Sequence, residues 1–299
     1  MSIPFQRDYP FQYAAVESVR PWLRRVVARN PGPFTFHGTG TFIVGHGKVA
    51  IIDPGPAIPE HIDALLHAVR GESVTHLLVT HTHRDHSPAC AAVQAATGAP
   101  THAYGAHGAG KIEAGVQVEE GGDMEFRPDV RVRHGDVIEG DGFSFECVYT
   151  PGHTSNHVCF QYREHRALFS GDHVMGWSTT IISPPDGDMA QYMASLELLL
   201  ARDDAQYWPT HGPCIDDPKP FVQEYMAHRH GRERQIHACL ASGVHTIAEM
   251  VPMMYCDLPQ RMFPAAARSV FATVIHLIEK GEVSCDGELK VGARYALRG

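Results

Sequence analysis

No CxxC pair occurs among the seven cysteines of this 299-residue chain, and their number is odd. A disulfide framework is therefore not expected; reduced, packed thiols are. Positive charge is also scarce. Lys and Arg total 25 against 34 Asp and Glu, a net charge of −9 with His neutral, which argues against a broad basic face that coats nucleic acid. No run approaches the ~18 uninterrupted apolar residues of a membrane span. The opening MSIPFQRDYPFQYAAV has no charged segment leading into an apolar one, so no signal peptide is expected. The expectation is a cytoplasmic protein with no membrane partner. Internal repeats, low-complexity tracts and a GxSxG nucleophile motif are absent as well.

Histidine, by contrast, is abundant, at 21 residues. Whether a subset falls where a metal needs it depends on the elements around it. TGTFIVG and KVAIIDPG, joined at residues 45–48, read as a hairpin of strands. PEHIDALLHAVRG reads as a helix with Pro59 near its start and Gly71 at its end. THLLVT reads as a buried strand. SPACAAVQAATG reads as a helix with Ser87 as N-cap, Pro88 at its first position and Gly98 as terminator. VRVRHGD, FSFECVYT, HVCFQYR, RALFSGD and YWPTHG continue as strands, with MAQYMASLELLLAR as a helix before the last. This order predicts a layered α/β core. After about Pro218 the pattern becomes helical, then closes on EVSC and ELKV as a hairpin about an Asp286-Gly287 turn. Three helices and a terminal hairpin resemble a winged helix. Two domains are expected, at 1–217 and 218–299.

The string His81-Thr82-His83-Arg84-Asp85-His86 directly follows the strand LLVT. Residues two apart on extended chain share a side, so His81 and His83 can reach one metal. The turn into the next helix lets Asp85 and His86 face a second. Imidazole and carboxylate suit zinc, with iron or manganese as alternatives. A hexapeptide cannot complete two coordination spheres. Three later positions can: His153 in TPGHTSNH, Asp172 in FSGDH and His211 in PTHG. Each follows a strand and has a glycine beside it, which permits a tight turn and close approach.

HTHRDH, TPGHT, SGD and THG, in this order and spacing, resemble the metallo-β-lactamase superfamily over about residues 35–215. The resemblance implies an αββα sandwich with the site at one edge of two packed sheets, followed here by the small winged-helix-like domain. It implies two zinc ions. His81, His83 and His153 would hold one, Asp85, His86 and His211 the other, and Asp172 would bridge them. Asp53, in IIDPG, matches an acidic residue that braces the metal loop. Main-subclass class-B β-lactamases carry cysteine where Asp172 stands, so antibiotic hydrolysis is not the expected role. Flavodiiron members carry glutamate at the position of His83, which favours a hydrolase here. Persulfide dioxygenases share much of the histidine pattern with a single iron.

Two metals ~3.5–4 Å apart share a water and lower its pKa, so that a bridging hydroxide can attack a carbonyl or phosphorus centre. Asp85 can hold that nucleophile by a hydrogen bond while ligating metal. His157 is placed either to donate to a substrate oxygen or simply to pack, and Trp177 either to line the pocket or to fill the core. His102, His107, His134, His228, His230 and His237 belong to no motif and read as structural or solvent-facing. SGDHVMGWSTTIISPPDGDMAQYMASLELLL, THGP, RERQI and the tail resemble the beta-lactamase-like protein 2 family over almost the whole chain. That resemblance implies phosphodiester hydrolysis of single-stranded RNA, or hydrolysis of a thioester, lactone or other small acyl substrate. The acidic charge suits the second at least as well. For the tail domain, a helical cap or a homodimer surface is the plainer expectation than a recognition helix. A winged-helix regulator with a sensory metal domain is the remaining reading; the lack of a basic run argues against it.

Overall fold

The computed structural model describes residues 3–108 and 121–298. Among the described residues, one sheet runs in chain order through β1 (Val16–Arg20), β2 (Leu23–Val27), β3 (Gly40–His46), β4 (Lys48–Ile52), then helix α1 (Pro59–Ala68), β5 (Ser73–Leu78), helix α2 (Cys90–Thr97), β6 (Thr101–Ala103) and β7 (Val130–Arg131). Its first four strands pair antiparallel and its last three join in parallel. The second sheet has the order β12-β11-β10-β9-β8, built from β8 (Val137–Glu139), β9 (Ser144–Tyr149), β10 (Val158–Tyr162), β11 (Ala167–Gly171), helix α3 (Met189–Ala201) and β12 (Gln206–Pro209). Strand β12 pairs parallel to β11.

Side-chain alternation decides the layers. In β3, Phe42 and Val44 face the second sheet while Ile43 faces α1 and α2; β4 repeats this with Ala50 and Ile52 against Val49 and Ile51. From the other side, Phe160 and Phe169 point inward, and Cys159 and Leu168 turn towards α3. The Phe42 and Phe169 rings meet at 5.2 Å in the middle. Each such fully buried side chain contributes about 1.5–3 kcal/mol. Both sheets are thus covered on both faces, the αββα sandwich that the resemblance implies.

Helix α4 (Pro218–Ala241) is continuous through Gly231. Its first turns place Phe221, Val222 and Tyr225 against α3 and the second sheet. Its last turns place Ile236, Cys239 and Leu240 in a separate core with α5 (Ile247–Met254), α6 (Phe263–Glu279), β13 (Val283–Asp286) and β14 (Arg294–Leu297). Helix α5 starts at a capping box in which Thr246 and Glu249 bond reciprocally. The segment Gln260–Glu279 is long and apolar enough to cross a membrane by length and composition alone, and its Val270, Val274 and Leu277 are buried in this C-terminal core.

Two local expectations change, and two strands appear that the sequence did not announce. Ser87 does not cap α2: its hydroxyl donates to Asp123 Oδ2 at 2.7 Å, and the helix begins at Cys90. The terminal hairpin does not turn at Asp286-Gly287 into ELKV; Asp286 pairs with Arg294, and the second strand is RYAL. Tyr295 explains this. It is 1% exposed in the C-terminal core and its hydroxyl donates to the Lys290 carbonyl, whereas Leu289 of ELKV is exposed. Strands β1 and β2 carry no apolar pattern in sequence, because Arg24 and Arg25 occupy strand positions by pairing with Glu72 and Glu17, each at 2.7 Å.

Candidate metal centre

The chemistry gathers where strands end. Asp53 follows β4, His81 follows β5, His153 lies beyond β9, Asp172 follows β11 and His211 follows β12. Two glycines make the tight approach. Gly152, at φ +136°, packs where a Cβ would lie 2.3 Å from the Tyr192 backbone; Gly171, at φ +51°, packs where one would lie 2.6 Å from His157 Nε2. A larger residue at either position would displace His153 or Asp172.

Three imidazole nitrogens converge: His81 Nε2 and His153 Nε2 lie 3.0 and 3.2 Å from His83 Nδ1. A second group forms beside them. His211 Nε2 is 3.0 Å and His86 Nε2 3.4 Å from Asp85 Oδ2. Asp172 Oδ2 stands between the groups, 3.5 Å from His211 Nε2, 3.6 Å from His86 Nε2 and 3.9 Å from His153 Nε2. The structure therefore brings all seven residues of the sequence motif together, in clusters whose donor atoms lie within 4.8 Å of one another.

Three of the five histidines are tied down through the other ring nitrogen, which fixes their tautomers. His153 Nδ1–H donates to the Ile181 carbonyl at 2.8 Å and His211 Nδ1–H to the Gly38 carbonyl at 3.2 Å. His86 Nδ1–H donates to Asp53 Oδ2 at 2.9 Å. Asp53 is fully buried and organises the site from behind. It also accepts from the Thr80 amide and hydroxyl, at 2.8 Å each, and from the Thr210 hydroxyl at 2.7 Å. One carboxylate thus holds the ends of β5 and β12 and orients His86. Each Nε2 lone pair is left facing the centre, the arrangement that such outer hydrogen-bond partners give to metal-binding histidines.

Burial pushes His81 and His83 well below the usual imidazole value, and neighbouring histidines push them further. The Asp85 side is opposite in sign. Burial disfavours charge on His86, yet Asp85, Asp172 and Asp53 together lift it well above its usual value; at His211 burial is likewise opposed, by Asp172 and Asp85, and the ring is raised to about 10. His86 Nε2 and His211 Nε2 face carboxylate oxygens without an aligned hydrogen bond, and Asp172 Oδ1 has no partner, an expensive arrangement for buried polar atoms unless a metal takes them up. The donor set fits one all-imidazole and one imidazole–carboxylate cation site.

A cavity of about 340 Å³ opens onto this centre, with His153 and Asp172 at its floor. Trp177 lines it, stacked on Phe36 at 4.5 Å. His157 does not. It is fully buried behind the site, its Nδ1 bonded to the Thr150 hydroxyl at 2.9 Å and its Nε2 accepting the Asp172 amide at 3.3 Å. The expectation of substrate contact gives way to a packed histidine that supports Asp172. The far wall comes from the C-terminal helices: His228, Arg229 and Arg232 on α4, Tyr255 after α5, and Arg261 before α6. Sequence reasoning missed these residues and read His228 as structural or solvent-facing. Arg232 opens the RERQI string and the others sit in no motif, and only the fold carries them to the pocket.

Comparison with known proteins follows the same outline. The family model described as the metallo-beta-lactamase superfamily matches residues 35–211, and that of the beta-lactamase associated winged helix domain matches residues 246–292. A beta-lactamase-like protein 2 homolog of Caenorhabditis elegans is 30% identical over 273 residues, covering 90% of this chain and 88% of that protein. An atrochrysone carboxyl ACP thioesterase of Cryptosporiopsis sp. is 30% identical over 224 residues, covering 74% of this chain and 63% of that protein. A metallo-beta-lactamase family protein from Thermus thermophilus superposes with a TM-score of 0.76 at 21% identity, covering 94% of this chain and all of that one; this likeness is one of fold.

Proposed function

The chain belongs to the metallo-beta-lactamase superfamily, and on that premise we propose that it is a two-metal hydrolase of small acyl substrates, thioesters foremost. The observation that carries this reading is the half-open cavity of about 340 Å³ directly over His153 and Asp172, walled by Trp177, Tyr255 and Met262. That volume suits a compact ligand with an apolar body. The similarity to an ACP thioesterase supports the same chemistry.

His81, His83 and His153 would hold one cation, Asp85, His86 and His211 the other, with Asp172 facing both. When bound, such a pair lowers the pKa of a water and polarises the scissile carbonyl; zinc is our first assignment, with iron or manganese as alternatives. The remaining work falls to the chain. Asp85 accepts a hydrogen bond from the attacking water and turns it towards the carbonyl carbon. Trp177 and Tyr255 hold the apolar body. Water adds to the carbonyl carbon, the C–S bond breaks and the sulfur leaves with a proton. The winged-helix unit acts as the cover of the pocket, and residues 218–299 are its proposed extent.

Cleavage of single-stranded RNA is the second reading, favoured by the arginines of the pocket wall and the adjoining winged helix. The test sets metal-loaded protein against an acyl thioester and a labelled single-stranded RNA, each with Asp172→Ala beside it. Asp172-dependent thioester hydrolysis without RNA cleavage is the expected result. Asp172-dependent RNA cleavage with an inert thioester would replace this reading by the second.

A further inference from the structure

The pocket wall opposite the metal centre is more cationic than an acidic protein would place by chance. Arg229, Arg232 and Arg261 all line it, and among the described residues none of the three has a carboxylate within ion-pair distance. The only acid among the lining residues is Asp172 at the floor. Arg229 is 5% exposed, donates to the Thr180 carbonyl, lies over the Tyr192 ring at 5.0 Å and leaves its Nε without a partner. Arg232 stacks on Tyr255 at 4.0 Å, donates to the Met254 carbonyl at 2.7 Å and also leaves its Nε without a partner. Arg261 is exposed at the rim. Burial pushes His228 beside them down to about 4, so it adds a neutral ring and no competing charge.

Buried guanidinium without a counter-charge is unfavourable. A pocket that places one buried, one half-buried and one rim-exposed guanidinium on one side, none paired with a carboxylate, and cation ligands on the other, is complementary to a ligand with an anionic end. We propose that Arg232 and Arg261, backed by Arg229, form an anion-recognition wall that selects acyl substrates bearing a carboxylate or phosphate at the end remote from the scissile carbonyl. Planar guanidinium forks bind such groups bidentately. The apolar face between the two ends, formed by Trp177 and Tyr255, takes the body of the substrate. Selectivity is then supplied by the C-terminal helices and chemistry by the sandwich. Arg229 has a second effect. Through Thr180, whose hydroxyl donates to the Asp172 carbonyl at 2.6 Å, it ties helix α4 to the metal loop.

The turnover half of the test rests on the acyl-hydrolase reading; the binding half does not. The metal-loaded full chain is assayed with two thioesters of one thiol, a succinyl and a butyryl ester, which match in length and differ in the terminal carboxylate. Separately, glutarate and inorganic phosphate are titrated calorimetrically into the same protein, to tell a carboxylate from a phosphate preference. The parent is expected to favour the succinyl ester in kcat/KM by about tenfold or more. Arg261→Gln and Arg232→Gln are expected to reduce that preference through KM, Arg261→Glu to abolish it, and the remote Arg163→Gln to leave the ratio unchanged. Arg261 is exposed, so its variants test the idea even if Arg232→Gln fails to fold. Equal hydrolysis of both esters by the parent overturns the proposal while the hydrolase reading stands. Inert esters with anion binding that Arg261→Glu abolishes, at unchanged metal content, uphold the proposal while the hydrolase reading falls. Anion binding indifferent to all three variants overturns the proposal.

Discussion

Replacing Asp53 by Asn alters one atom's chemistry, and its consequence can be worked from the contacts. The Asn carbonyl can keep the bond from the Thr80 amide, now made to Oδ1 at 2.8 Å. The amide NH2 then takes the place of Oδ2, which accepts from the Thr80 hydroxyl, the Thr210 hydroxyl and His86 Nδ1–H. The hydroxyls can rotate and accept. His86 can accept only by moving its proton to Nε2, which is the nitrogen that faces Asp85 and Asp172. The variant must either leave a buried N–H unpaired or block a metal ligand with a proton. A lost charge-assisted bond and an orphaned donor together cost about 2–5 kcal/mol. Loss of such a supporting group typically costs about 10–100-fold in metal affinity. The loss should fall on the Asp85–His86–His211 side, because the bonds of Asp53 run to His86 and not to His81, His83 or His153. Metal analysis after equilibrium dialysis should therefore find about one tightly held equivalent in Asp53→Asn against two in the parent, with a lowered urea midpoint. Two equivalents at parental affinity would refute the reasoning.

Other outcomes follow from single contacts. Asp172→Ala and His83→Ala should each lose metal and hydrolysis while circular dichroism shows the fold largely kept, since neither residue belongs to the packed cores; full metal content in both would contradict the assignment. Tyr295→Ala should lower the stability of the C-terminal unit by about 3–5 kcal/mol, read as an earlier denaturation of that unit, because the ring is fully enclosed and its hydroxyl holds the Lys290 carbonyl. Burial would raise Glu72, but its bonds to Arg24 and the Gly47 amide hold it below the ordinary carboxylate value of 4.5. Its contribution is thus present above that value and lost as pH falls through the folded one. Arg24→Gln should cost about 2 kcal/mol at neutral pH, a difference that narrows below pH 4.5; a pH-independent difference in denaturation midpoint would show that Glu72 is not the linked group.

The metal centre was legible because its seven residues lie in short motifs at strand ends, and the fold only had to bring those ends to one edge. The same is true of the sandwich, whose period-two apolar strands and glycine stops are local signals. What sequence could not show depends on distance along the chain. His228, Arg232 and Arg261 enter the pocket because helix α4 crosses from one core to the other. His157 in TPGHTSNH could equally donate to a substrate oxygen or pack, and the close packing of Gly171 against its ring places it behind Asp172. Strands β1 and β2 hide their buried positions under arginines, and the last hairpin obeys Tyr295 and its core rather than the Asp286-Gly287 pair. In each case tertiary packing overrides a correct local rule.

The most direct test of the two-metal account is a titration of chelator-treated protein with Zn²⁺, following thioester hydrolysis and bound metal together. The account predicts no hydrolysis without metal and a rise that reaches its plateau at two equivalents. Full activity in the metal-free protein, or a plateau at one equivalent with the Asp85–His86–His211 group still vacant, would contradict it.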